Sequence, residues 1–201
     1  MALGFVRPAR PADVGEIARI QLVTWRVAYR RLMPRHVLEQ LDENWIAQQW
    51  GRSITDPPTP RHRVLVAVEQ VADQSTPAYV VGFAASGPPD EAALAADEDH
   101  TALGEAVVAV TDLLVEPRWG RRGHGSRLLA ACVDSWWNDG FTTAVAWTFV
   151  DDLVTSRFLE STGWRKDGAS RALDVDDLLV PQVRWHVAVP AEVPEEAVIS
   201  T

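Results

Sequence analysis

One cysteine, two tyrosines and one lysine are all that 201 residues contain of these types. With Cys132 alone no internal disulfide can form, and a chain of this length needs no staples to bury a core. Cys132 falls at helical spacing among apolar neighbours, so it reads as packing, and a reducing, cytoplasmic setting is the expectation. Long apolar runs are missing as well. Nothing approaches the roughly 18 residues of a membrane span, and residues 1–11 lack the apolar stretch of a secretory leader, so a soluble protein is expected. Positive charge is in short supply, with 19 basic against 28 acidic side chains and a net charge of −9. That balance speaks against general affinity for nucleic acid and leaves either a cationic partner or simple solubility. His36, His62, His100 and His186 show no metal-ligand spacing, so no metal is expected.

What is present centres on residues 107–137, VVAVTDLLVEPRWGRRGHGSRLLAACVDSWW. An apolar run reads as a strand, Pro117 breaks it, and Gly120, Gly123 and Gly125 make a turn. Leu128, Leu129, Cys132, Val133 and Trp136 then fall at helical spacing. This order suits phosphate binding, because the first amides of a helix lack internal partners and sit at the positive end of its dipole. Glycine lets the anion come close, and Arg121 and Arg122 add charge. The same residues also suit an ordinary connection between a strand and a helix. His124, inside the turn, is expected to offer its amide and leave its ring exposed. Asp112 is the one acidic residue within the apolar strand. A lone buried carboxylate is costly, so Asp112 is either ion-paired to a helix arginine or turned toward a cationic ligand.

Residues 3–7 read as a strand ending at Pro8, followed by a helix with Val14, Ile17, Ile20 and Val23 or Thr24 on one face. Residues 35–52 are expected to be one helix with a stripe of Val37, Leu38, Leu41, Trp45 and Ile46. Residues 63–69 and 78–85 read as antiparallel strands joined by a polar loop. Residues 86–106 hold Asp90, Glu91, Asp97, Glu98, Asp99 and Glu105 without a Lys or Arg, as a solvated loop or as a negative lip for a cation. Then come a buried parallel strand at 142–149, a helix at 150–162, a connection at 173–180 and a last strand at 182–189. The whole is an α/β (α+β) fold in a single domain over residues 1–190, with helices flanking a mixed sheet. Residues 191–201 form an acidic tail expected to be poorly ordered.

The segment TDLLVEPRWGRRGHGSRLL resembles the cofactor signature of the GNAT N-acetyltransferase superfamily, an apolar strand ending in Val, then Pro, then Q/R-x-x-G-x-G/A opening a helix. Val115, Pro117, Gly123 and Gly125 fall in register, while Gly120 stands where Gln or Arg is usual. TWRVAYRRLMP, residues 24–34, resembles the WRxAYxxLxP segment of one large group of these enzymes, and Gly163 with Trp164 matches their later G-F/W step. The resemblance implies a parallel strand pair splayed by a bulge and acetyl-CoA as the acyl donor. It also implies direct attack, in a ternary complex, by a primary amine of a small molecule or peptide. Neither nucleic acid nor membrane is implied as a partner, and a homodimer is compatible with it. Cofactor contacts are implied at Leu113, Val115, Arg121, Arg122, Gly123, His124, Gly125, Ser126 and Asp152. Trp25 and Tyr29 are implied in the acceptor wall, although aromatics one turn apart also suit a plain core.

Two of the family's catalytic positions have changed here. In DLVTSRFLESTGW, Phe158 and Gly163 match, but Leu159 replaces the Tyr that commonly protonates the leaving thiolate, and Asp152 replaces an Asn. A glutamate often found in the strand falls at Ala109. Asp112 lies where some small-amine members carry an acidic pair, which makes it the candidate base or ammonium ligand, with Ser156 or water as the candidate acid unless the CoA thiolate leaves unassisted. These absences leave open a non-catalytic acyl-CoA-binding or regulatory domain. A nucleotide-phosphate enzyme has less support, since no GKS/T follows the turn.

Overall fold

The computed structural model of the chain describes residues 3–70, 78–95, 98–99 and 103–190. The strands are β1 (Leu3–Pro8), β2 (Arg63–Gln70), β3 (Tyr79–Gly87), β4 (Val107–Val115), β5 (Thr143–Phe149), β6 (Arg165–Val175) and β7 (Leu178–Ala188). The helices are α1 (Val14–Ala28), α2 (Arg35–Glu39), α3 (Glu43–Thr55), α4 (His124–Asn138) and α5 (Leu153–Ser161). One mixed sheet runs in the order β1-β2-β3-β4-β5-β7-β6, and β4 and β5 are its parallel pair.

The middles of β2 and β3 are apolar because both sheet faces are covered there, and alternate side chains go to opposite faces. In β2, Leu65 and Ala67 join a cluster with Leu128, Cys132 and Trp136 of α4. Val66 and Val68 join the other cluster, with Ile17 and Ile20 of α1 and Trp50 of α3. Cys132 is buried there, and burial pushes its thiol up to about 12, which fits a packing residue. At the start of α1, Asp13 accepts from the Arg10 amide at 2.7 Å and pairs with Arg7 on β1. No helix among the described residues is long and apolar enough to cross a membrane.

Four expectations change. Residues 35–52 are two helices, because the Asp42 carboxylate accepts from the Asn44 amide at 2.8 Å and caps α3 afresh. Trp45 accordingly leaves the expected core stripe and is 60% exposed. The connection at 173–180 is the turn of a β6–β7 hairpin, in which Asp176 and Asp177 take φ of 54° and 64°. Aspartate tolerates this left-handed region, and two such residues match the twist of a tight hairpin. Part of the 86–106 segment is docked rather than solvated. Ala93 and Ala95 are buried, the Trp147 indole donates to the Ala93 carbonyl at 3.0 Å, and buried Arg184 joins Glu98 to Asp167. The negative-lip reading therefore fails for Glu98, whose carboxylate is spent on Arg184. The loop at 71–77, Asp97, His100 and the tail at 191–201 lie outside the described residues.

The end of β4 is stapled to α1. Buried Glu116 takes Arg19 at 2.9 Å and Arg118 at 2.6 Å, and the Arg19 hydrogen bond holds its carboxyl below the usual range. A depressed carboxyl adds stability above its unfolded pKa and loses it as pH falls through the folded value. Glu116→Gln should thus cost about 1–3 kcal/mol at pH 7 in denaturant unfolding, with the difference from wild type closing on acidification below about pH 4.

Candidate active site

Pairing of β4 with β5 covers Val107–Val110 against Thr143–Ala146 and then stops. The cause lies on the other edge of β4. Across from β3, Ala85 pairs with Asp112 but Ser86 pairs with Val110, so Thr111 is an extra residue, and its hydroxyl donates to the Ala85 carbonyl at 3.3 Å. A bulge of this kind bends its strand. Beyond it β4 departs from β5, leaving its far backbone edge without a strand partner among the described residues, beside a cleft of about 290 Å³. Leu113 and Leu114 form one wall, Phe149, Asp152, Thr155 and Leu159 the other, and Trp25, Tyr29 and Met33 reach in from the end of α1 and the segment after it.

Below the cleft lies the glycine turn. A 3-10 turn at Pro117–Trp119 leads to Arg121 with φ of 61° and Gly123 with φ of 77°, and α4 begins at His124. Gly123 caps the helix without a side chain, while Arg121, Arg122 and Ser126 are exposed around its first turn. The turn is braced from inside: Arg127 donates to the Arg122 carbonyl at 2.9 Å and to Nδ1 of His124 at 3.0 Å. The expectation of an exposed imidazole is wrong, since His124 is 2% exposed. Its Nε2 lies 3.2 Å from Glu69 of β2, and its ring meets Trp119 edge-on. Burial, aided by Arg127 and Arg122 and opposed by Glu69, holds the imidazole pKa below its usual value, so the ring is a neutral wedge under the turn. At Gly125 a Cβ would lie at ordinary contact distance, 3.5 Å from Phe158 and 4.0 Å from Val115, where α4 packs on α5 and β4. The partly buried Val115 side chain packs against the core cluster beside it.

Asp112 stands where the cleft meets a second cavity of about 480 Å³, and the two share Trp25, Thr111 and Asp112. Burial pushes the Asp112 carboxyl up to about 6, against a hydrogen bond with Thr111. No ion pair to Asp112 occurs among the described residues, so the helix arginine considered from sequence does not take it up. Tyr29 packs edge-on against Phe149 with ring centroids 4.9 Å apart. Burial first, then the charges of Asp152 and Asp112, hold its phenol well above its ordinary pKa. Asp152 caps α5, with Oδ1 accepting from the Thr155 amide at 3.1 Å and Oδ2 from the Thr155 hydroxyl at 2.7 Å. Thr155 and Leu159 are one turn apart and share the cleft face, which rotates Ser156 off that wall. Both Thr155 and Ser156 lie about one turn before Leu159, and only the docking of α5 decides that Thr155 faces the cleft.

The acetyltransferase (GNAT) family model matches residues 19–164. No curated protein matches the sequence significantly. Among solved structures, YncA from Salmonella typhimurium, with its cofactor acetyl-CoA, superposes with a TM-score of 0.62 at 18% identity, over 97% of this chain and 99% of that one. PaiA N-acetyltransferase from Thermoplasma acidophilum, in complex with coenzyme A, does so with a TM-score of 0.61 at 13% identity, over 90% and 98%. The ribosomal-protein-S18-alanine N-acetyltransferase from Escherichia coli gives 0.59 at 13% identity, over 97% and 99%. At such identities the superpositions speak for the fold.

Proposed function

The chain belongs to the acetyltransferase (GNAT) family, and from that membership we propose that it transfers an acetyl group from acetyl-CoA to a primary amine by direct attack within a ternary complex. The observation that carries this reading is the meeting of two cavities at Asp112. One gives access to the unpaired edge of β4, and the other opens toward α3. Acetyl-CoA supplies an acyl thioester already activated toward attack.

The protein's residues divide the remaining work. Backbone groups of β4 around Leu113 are free to pair with the amides of the pantetheine arm. The turn at Arg121, Arg122 and Gly123 and the first amides of α4, with Ser126, hold the phosphates. Asp152, bound to Thr155 through both oxygens, is first a helix cap and only then a pantetheine contact. Asp112 takes a proton from the incoming ammonium, and the freed nitrogen bonds to the acyl carbon as the carbon–sulfur bond breaks. Tyr29 takes over the part that Leu159 cannot play and that Ser156 is turned away from. Its phenol, kept protonated beside two carboxylates, donates the proton that the departing sulfur receives, and the second proton of the former ammonium, shed by the nitrogen as the amide forms, restores the phenol. Holding amine and thioester together supplies much of the remaining acceleration.

Calorimetry with acetyl-CoA and amine-dependent release of CoA test this reading together, and both should be positive. Binding without release across a broad amine panel would favour a non-catalytic acyl-CoA-binding domain, for which Leu159 speaks. Absence of binding would remove the acetyltransferase reading itself. Tyr29→Phe should lower kcat by about 10²-fold. Tyr79→Phe should stay near wild type, since that ring stacks on Trp119 outside the cleft. A Tyr29→Phe enzyme with wild-type kcat would mean that the thiolate leaves unassisted.

A further inference from the structure

The second cavity has a character of its own, distinct from the cleft. Three indoles face it: Trp25 from α1, and Trp45 and Trp50 from α3, with Leu41 and Ile46 between them. Trp50 has spent its N–H on Oε1 of the buried Gln21 side chain at 2.7 Å, so it offers the cavity an apolar face. Trp45 is 60% exposed on α3, beside the buried Ile46 and on the helix that carries buried Trp50, and a large apolar side chain held out at a cavity wall is suited to cover a ligand. Negative charge is present in two places, Asp112 at the junction with the cleft and Asp90 on the wall. The wall's basic groups are already engaged. Arg63 lies side-on against Asp139, with Nε at 2.8 Å and Nη2 at 2.7 Å, and the His62 ring is bonded to the Thr59 hydroxyl at 2.9 Å.

From this arrangement we propose that the acceptor is an arylalkyl or similarly apolar primary amine without a carboxylate, its body between the tryptophans and its ammonium at Asp112. The proposal rests on the acetyltransferase reading and adds the class of substrate to it. An aromatic body gains burial and ring contacts along the indoles, and an ammonium near their faces gains a cation–π contribution. A carboxylate on the same ligand would meet Asp112 or Asp90 with no unengaged cation among the described residues of the wall to receive it, which selects against free α-amino acids. A polyamine would match the carboxylates but leave the apolar wall wetted.

The test compares 2-phenylethylamine, ethylamine, L-phenylalanine and spermidine as acceptors at saturating acetyl-CoA, and also measures 2-phenylethylamine binding to the CoA-loaded protein by calorimetry. The expected kcat/KM for 2-phenylethylamine exceeds that for ethylamine or spermidine by about 10- to 100-fold, and that for L-phenylalanine by about 100-fold or more. Trp45→Ala should cut the ratio of 2-phenylethylamine to ethylamine by about 10-fold, and Trp45→Phe should restore most of it. The proposal is overturned if spermidine or L-phenylalanine is the better acceptor, if Trp45→Ala leaves the ratio unchanged, or if 2-phenylethylamine neither turns over nor binds the CoA-loaded protein. Acetyl-CoA affinity separates the two layers of argument. A protein that binds acetyl-CoA and prefers another amine loses only the substrate class, whereas one that does not bind acetyl-CoA loses the enzyme reading.

Discussion

Asp112→Asn is expected to raise the melting temperature while lowering kcat/KM for the amine by about 10²-fold at neutral pH. The two effects have one cause. Burial lifts the carboxyl from its ordinary 3.8 to about 6, so the folded protein binds this proton more tightly than the unfolded chain does. A raised carboxyl pKa costs stability that is absent below about pH 4, grows as pH rises through 6, and is fully present above. At pH 7 the difference corresponds to about 2–3 kcal/mol, or several degrees in Tm for a chain of this size. Asparagine keeps the shape and removes that cost. It also removes the proton acceptor, so wild-type kcat/KM should rise with pH through about 6 while the variant lacks this inflection. The loss in the variant should shrink at higher pH, where free amine is available without help. A variant that melts lower and retains full turnover per folded molecule would show that Asp112 serves a structural ion pair in solution and would take it out of the site.

Gly123→Val is the second large effect, expected at the other end of the cleft. Gly123 has φ of 77°, a conformation that a β-branched residue adopts only under strain. Relief of that strain must rotate the cap, and the first amides of α4 then no longer converge on the turn. Acetyl-CoA affinity in calorimetry should fall by about 100-fold or more, since phosphate is held there by backbone donors whose direction depends on this one residue. Gly125→Ala makes the contrast. Its Cβ would touch the Phe158 ring at ordinary contact distance, so it should alter packing slightly and affinity far less. Circular dichroism reports whether each variant keeps the fold. Unchanged affinity in a folded Gly123→Val protein would sink the assignment of the turn to the acyl donor.

The turn and the helix after it were legible in the sequence because their determinants are local. Leu128, Leu129, Cys132 and Trp136 are spaced by the helix period and all are buried. Gly123 stands where the chain requires a left-handed residue, and Pro117 marks where the strand has ended. Misreadings arose where a short-range signal competed with apolar spacing. Asp42 recapped a helix that the stripe from Val37 to Ile46 carries through, and Asp176 with Asp177 made a hairpin turn without the usual glycine.

By itself the sequence determined the order of strand, glycine turn and helix, the placement of one acidic residue in an apolar strand, and the absence of a tyrosine at Leu159, since each depends on the identity of a residue and its near neighbours. Tertiary structure alone decided that Tyr29 and Asp112, far apart in the chain, line one cleft, that the tryptophans of α1 and α3 enclose a second cavity, and that His124 is buried against Glu69. Those relations follow from the register of β4 on β3, shifted by the one extra residue at Thr111, and from the docking of α1 and α3 on the same sheet face. Such long-range contacts are fixed by how whole elements bury their faces against each other, and no spacing along the chain encodes them.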